Sequence, residues 1–79
     1  QTLAKLYVAE GRLDRAADMY RALSQGSDRA RHALYHYEAG RLLLEIGLGD
    51  EARRMLTRAA ALVTDDEPLH EKVAALLQG

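Results

Sequence analysis

Seventy-nine residues without a cysteine make at most one small domain, one that no disulfide can brace. With 48% hydrophobic and 29% charged residues the chain is too apolar for intrinsic disorder, and a formal net charge of −1 gives no electrostatic ground for nucleic acid or an anionic membrane. No apolar run approaches the roughly 20 residues of a membrane helix and no signal-peptide pattern is present, so membrane insertion is not expected. The missing cysteine leaves the compartment undecided; a reduced cytoplasm fits, and so does any compartment where cysteines go unused. The chain opens on Gln1, not Met, with residues that already read as helix, so it is taken as a piece of a longer protein. Ala and Leu dominate, Arg outnumbers Lys nine to two, and six Gly and one Pro supply nearly all the punctuation. Strands would want more Val, Ile, Thr and aromatics, so the composition points to an all-α chain. The Arg bias hints at a GC-rich bacterial genome.

The first helix, "QTLAKLYVAE", is apolar at Leu3, Leu6 and Tyr7 and stops at Gly11, a residue that favours the left-handed turn after a helix. A second helix runs over about 13–23 with Ala16, Met19, Tyr20 and Leu23 on one face. "SQGSD" breaks it at Gly26, and Ser27 or Asp28 can cap the third helix by accepting from free backbone N–H groups. That third helix, about 29–46, is the longest and ends at Gly47; a fourth spans about 50–63. In "TDDEPLH", Asp66 is the expected cap of a fifth helix, with Pro68 in its first turn, where a missing N–H costs little. This last helix places Leu69, Val73, Leu76 and Leu77 on its apolar side.

The chain also nearly repeats itself. At an offset of thirty-six, Gly11, Asp14, Ala16 and Met19 fall on Gly47, Asp50, Ala52 and Met55. Each unit is then two antiparallel helices joined by a glycine turn, and such a pair cannot bury its own apolar faces. Stacked pairs share a core, which is why self-similar units occur in arrays. Small residues belong where helices cross closely: Ala4 and Ala16 in the first unit, Gly40 and Ala52 in the second.

These residues resemble the tetratricopeptide repeat, a helix–turn–helix unit of 34 residues. Its alternation of large, small and large appears as Leu3-Ala4-x-x-Tyr7 followed by Ala16-x-x-x-Tyr20. It appears again as His36-x-x-Ala39-Gly40-x-x-Leu43 followed by Ala52-x-x-x-Leu56. The departures are specific. Leu23 stands where the family has Ala, although Ala59 matches, and His36 replaces a Trp or large apolar residue. Asp28 and Thr64 occupy end-of-repeat proline slots, and the period is two residues too long, an excess assigned to "SQGSDRA". The resemblance covers about 1–63 and implies antiparallel hairpins stacked as a short right-handed α-solenoid of about five helices. Repeat 1 would cover about 1–26, repeat 2 about 29–63, and a capping or half-repeat helix about 66–78.

No catalytic constellation emerges, so no enzyme and no cofactor is expected. His32-x-x-x-His36 puts two imidazoles one helical turn apart, but a metal site needs a third ligand, and the expected role of His36 is a packed histidine with one satisfied nitrogen. Ser24 and Ser27 lack a nearby His and Asp. Asp65, Asp66 and Glu67 coincide with a helix start, where carboxylates offset the dipole. No glycine opens a helix after a strand, which excludes a phosphate loop. Arg21, Arg29, Arg31, Arg53, Arg54 and Arg58 interleave with Asp18, Asp28, Asp50 and Glu51, including an i,i+4 pair of Asp50 with Arg54, so a solvated face is expected and nucleic acid is not.

The third helix, "HALYHYEAGRLLLEIG", carries more apolar surface than one core face uses. His36, Ala39, Gly40, Leu43 and Ile46 suffice for the core, yet Leu34, Tyr37, Arg41 and Leu44 form a second stripe beside Glu38 and Glu45. In tetratricopeptide arrays the first helix of each pair lines a concave groove. The resemblance therefore implies a partner-binding groove of Lys5, Val8, Leu34, Tyr37, Glu38, Arg41, Leu44 and Glu45, apolar at its centre with charged margins. Neighbouring repeats or the fifth helix could instead cover Leu34 and Leu44. The family's carboxylate clamp is not expected, because Thr2 and Glu38 stand in the slots of its paired Asn residues. The function expected is a non-catalytic module, scaffold or adaptor, that binds a protein or peptide as a helix or extended segment. The alternative is self-assembly into a homo-oligomer through Leu69, Val73, Leu76 and Leu77, and a third reading makes the chain a helical domain appended to an enzyme.

Overall fold

A computed structural model of the chain describes residues 2–27, 31–63 and 67–78. Five helices account for nearly all of them: α1 (Thr2–Ala9), α2 (Leu13–Ser24), α3 (His32–Glu45), α4 (Gly49–Leu62) and α5 (Glu67–Gln78). No strand occurs among the described residues, so the fold is all-α, as composition and periodicity require. Consecutive helices pack on one another, and α3 also touches α5. The result is a stack of helical hairpins about 31 × 29 × 18 Å across. The caps expected at Asp28 and Asp66, the carboxylate of Asp65 and the repeat-end position Thr64 lie outside the described residues.

The two hairpin turns share the bonds that close them. Gly11 and Gly47 are left-handed, with φ of 80° and 89°. The Arg12 N–H donates to the Tyr7 carbonyl (2.8 Å) and the Gly11 N–H to the Val8 carbonyl (3.0 Å). Thirty-six residues on, the Leu48 N–H donates to the Leu43 carbonyl (2.9 Å) and the Gly47 N–H to the Leu44 carbonyl (3.2 Å). Each turn thereby closes the carbonyls that a helix end leaves unpaired. The residue after each glycine then opens the next helix with its own carbonyl: Ala16 N–H donates to Arg12 and Ala52 N–H to Leu48. Neither Arg12 nor Leu48 caps with its side chain, and the N-terminal dipole is offset by Asp14 in α2 and by Asp50 and Glu51 in α4. The matched glycines and aspartates of the sequence are therefore one turn used twice.

The core lies along both sides of α3. One buried cluster joins Ala4, Ala16, Ala17, Tyr20, Tyr35, Ala39, Leu42, Leu43 and Ala52, and a second joins Leu56 and Ala59 of α4 to Leu69 and Val73 of α5. Tyr35 stacks at a tilt on Tyr20 of α2, with ring centroids 6.2 Å apart, while Gly40 faces Leu56 and Ala52 of α4. A helix held from two directions needs two buried stripes. The stripe of Tyr35, Ala39 and Leu42 adds Tyr35 and Leu42 to the expected core, and His36, expected on the core face, is only half-buried.

Two further expectations are corrected. Leu3 and Leu6, read with Tyr7 as the apolar stripe of the first helix, are 45% and 52% exposed, whereas Ala4 is buried and Tyr7 half-buried. Their counterparts one unit later, Ala39 and Leu42, are buried because α2 packs against that face of α3. Leu69 and Val73, expected as a self-assembly surface, are already buried against α4 of the same chain. They stand thirty-four residues after Tyr35 and Ala39, so α5 meets α4 with the positions that α3 presents to α2.

Candidate functional site

With α2 and α4 occupying two sides of α3, the residues left over form its third face. Leu34 and Leu44 lie on it, each 39% exposed, with Glu38 and Arg41 half-buried between them and Glu45 exposed at the end. These five positions repeat at intervals of three and four, which keeps them on one side of the helix. The Arg41 guanidinium organises the charges. Its Nε and Nη2 both donate to Glu38 Oε1, at 3.1 and 3.0 Å, and its Nη1 lies 3.7 Å from Glu45 Oε2. Three charged side chains are thus tied into a ladder that runs down the helix, with Leu34 before its first step and Leu44 beside its last. Tyr20 of α2 feels this ladder: burial pushes its phenol above the ordinary value, Glu38 pushes it further, and Arg41 partly opposes both.

Other expected groove residues are placed differently. Tyr37 is half-buried and packs on the cluster of Leu56, Ala59, Leu69 and Val73, so much of its ring already serves the junction of α4 with α5. Val8 is half-buried against the first core cluster, and Lys5 is exposed, pairing with no carboxylate among the described residues. The side chain of Thr2 lies outside the description. Leu44 opens onto a cleft of about 290 Å³ that it shares with Leu56, Leu76 and Leu77, together with Asp50 and Arg53. The fifth helix therefore flanks Leu44 without closing over it. Leu48, which follows the turn glycine, is 47% exposed. Nothing in the helical periodicity singled out this cleft, because it forms where the ends of three helices meet.

The remaining candidates are committed to local bonds. His32 Nε2 donates to the Gly26 carbonyl and His36 Nδ1 to the His32 carbonyl, each at 2.8 Å, so one nitrogen of His36 is satisfied as expected. No group of three His, Asp or Glu gathers as a metal set among the described residues. The Ser24 hydroxyl donates to the Arg21 carbonyl at 2.7 Å and is buried there. Asp50 does not pair with Arg54; an exposed pair gains little, and Asp50 sits in the first turn of α4, where the helix dipole holds it. Instead Arg21 of α2 reaches Glu51 of α4 at 3.1 Å. No described helix is long and apolar enough to cross a membrane.

Compared with known proteins, the chain matches no family model, no curated protein and no solved structure.

Proposed function

We propose that the chain is a tetratricopeptide-type interaction module, non-catalytic, which binds a helix or extended segment of another protein on the third face of α3 and so acts as scaffold or adaptor. One observation carries this reading. α3 is already covered by α2 and α4, yet it holds Leu34 and Leu44 exposed beside the ladder of Glu38, Arg41 and Glu45. Apolar anchors beside fixed charges are what a partner's side chains can bury against and take register from. Lys5 and Val8 of α1 would extend the surface, and Tyr37 would contribute its uncovered edge.

The test is selection of peptides from a random library on the folded chain, followed by titration against Leu34→Asp with Leu44→Asp. The selected peptides should carry apolar anchors and lose about tenfold or more in affinity on the double variant, as removal of anchor contacts does. Equal affinity for the variant would remove this face from the proposal.

A second reading, self-assembly, is favoured by a different observation: the exposed Leu3 and Leu6. It predicts a dimer in a light-scattering dilution series that becomes a monomer in Leu3→Asp with Leu6→Asp. A wild-type chain that stays monomeric throughout would rule it out.

A further inference from the structure

On the far side of α3 from the proposed interaction face, a hollow of about 530 Å³ opens between the end of α2, the first turns of α3 and the second half of α4. Two arginines line it, Arg54 and Arg58, one helical turn apart on α4. Neither forms an ion pair or hydrogen bond with any described residue, and Asp50, the neighbour best spaced to neutralise Arg54, does not do so. Among the described residues, no carboxylate lines the hollow. Two like charges at i,i+4 repel, so the arrangement carries a small cost that an anion between them would remove.

The opposite wall is fixed. It is made of His32 and His36, and a carbonyl can only accept, so the ring nitrogens that meet Gly26 and His32 carry the protons and both rings are pinned. Ser24 spends its hydroxyl proton on the Arg21 carbonyl and has none to offer a ligand. Recognition therefore falls to the two arginines. Two guanidiniums match a dianionic phosphate monoester in charge and in their paired N–H geometry, whereas a single carboxylate would balance only one. Met55 and Leu62 complete the lining with apolar surface, and the volume exceeds that of a phosphate group several-fold, which leaves space for the organic part of the ligand.

We propose that this hollow binds a phosphate monoester, held by Arg54 and Arg58 against the wall of His32 and His36. The carrier of the phosphate is a phosphorylated side chain of a partner protein or a small phosphorylated molecule; the recognising chemistry is the same. The site does not depend on the interaction face proposed above.

The experiment is a titration of the full 79-residue chain, followed by ¹H–¹⁵N NMR including the arginine Nε–H signals. The probes are inorganic phosphate, O-phosphoserine, and one serine peptide in phosphorylated and unmodified forms. Saturable shifts centred on Arg54, Arg58, His32 and His36 are expected with every phosphate-bearing probe and not with the unmodified peptide. Arg54→Ala with Arg58→Ala replaces exposed side chains, so it should keep a dispersed spectrum and weaken binding by about tenfold or more, the loss of two charge-assisted contacts. A phosphopeptide that binds more tightly than O-phosphoserine identifies a protein carrier, and equal affinity identifies a small molecule. Absence of saturable shifts at Arg54 and Arg58 in the wild-type chain overturns the proposal, whatever the variant does. Undiminished affinity in the double variant overturns it too.

Discussion

Gly40 of α3 faces Leu56 of α4 so closely that a Cβ on the glycine would lie 2.7 Å from Leu56 Cγ and 2.8 Å from its Cδ2, with the Ala52 carbonyl oxygen at 3.2 Å behind. Alanine would raise helix propensity by about 1 kcal/mol over glycine. The crossing decides the other way: Leu56 is fully buried, its Cγ is not a free end that can swing aside, and the backbone oxygen cannot yield without moving α4. Gly40→Ala should therefore destabilise the fold by about 1–3 kcal/mol, as overpacking of a filled core does. Chemical denaturation measures it. A gain in stability would mean that α3 and α4 can separate at this point without cost.

Gly11 and Gly47 offer a cleaner comparison, because an added Cβ would meet nothing within 4 Å at either position. Only the left-handed backbone resists substitution there, with φ of 80° and 89°. Each Gly→Ala change should cost about 1–2 kcal/mol, the two losses should agree, and Asn should be better tolerated than Ala at both. Melting curves of the four single variants would show whether the turns are equivalent in energy as they are in hydrogen bonding. Unequal losses would show that one turn relaxes where the other cannot.

The turns were the most legible part of the sequence, since a left-handed helix end leaves a glycine at a fixed offset. The five helices followed from that punctuation, with boundaries within a few residues. What the pattern could not resolve was a helix used on three sides. In the run of Leu42, Leu43 and Leu44, successive residues turn by about 100°. Leu42 and Leu43 point different ways into one buried cluster, at 0% and 2% exposure, while Leu44 is 39% exposed. A search for one apolar stripe takes Leu43 and leaves Leu42 unassigned, because the face toward α2 is set by a neighbour that local periodicity does not encode. The opposite error occurred at Leu3 and Leu6, where apolar spacing suggested burial but no described helix covers the face. The exposed leucines and the charges of the interaction face were readable residue by residue. The cleft beside Leu76 and Leu77 was not, because it exists only once three helix ends converge.

Tyr37 and Leu44 were expected to act alike in a groove, and the structure separates them. Tyr37 packs on Leu56, Ala59, Leu69 and Val73, so Tyr37→Ala should lower stability by about 2–4 kcal/mol, at the low end of aromatic truncations because the ring is only half-buried. Leu34→Asp and Leu44→Asp remove side chains that already meet water in part and should each cost less than about 1 kcal/mol, as changes at exposed positions do. Circular dichroism melts of the three variants test this division. A large loss in Leu44→Asp would mean that Leu44 is held by α5 and has little surface to offer a partner.

Tyr20 ties stability to alkaline pH. Its phenol is neutral when protonated, and burial, then the nearby charge of Glu38, raise its pKa above the ordinary 10.0; Arg41 opposes them and Tyr35 adds to them. The folded chain thus holds this proton more tightly than the unfolded chain does. By linkage, the contribution is fully present below pH 10 and is lost as the pH climbs through the raised folded value. Tyr20→Phe has no proton to lose there and keeps the ring against Tyr35. Thermal melts from pH 8 to pH 11 should show wild type falling more steeply than Tyr20→Phe above about pH 10, with the two close together at neutral pH. Arg41→Ala should sharpen the wild-type fall, because it removes the one charge that lowers the Tyr20 pKa while leaving Glu38 in place. Parallel curves for wild type and Tyr20→Phe would show that the phenol reaches water despite its burial, and that Glu38 and Arg41 act on one another without acting on it.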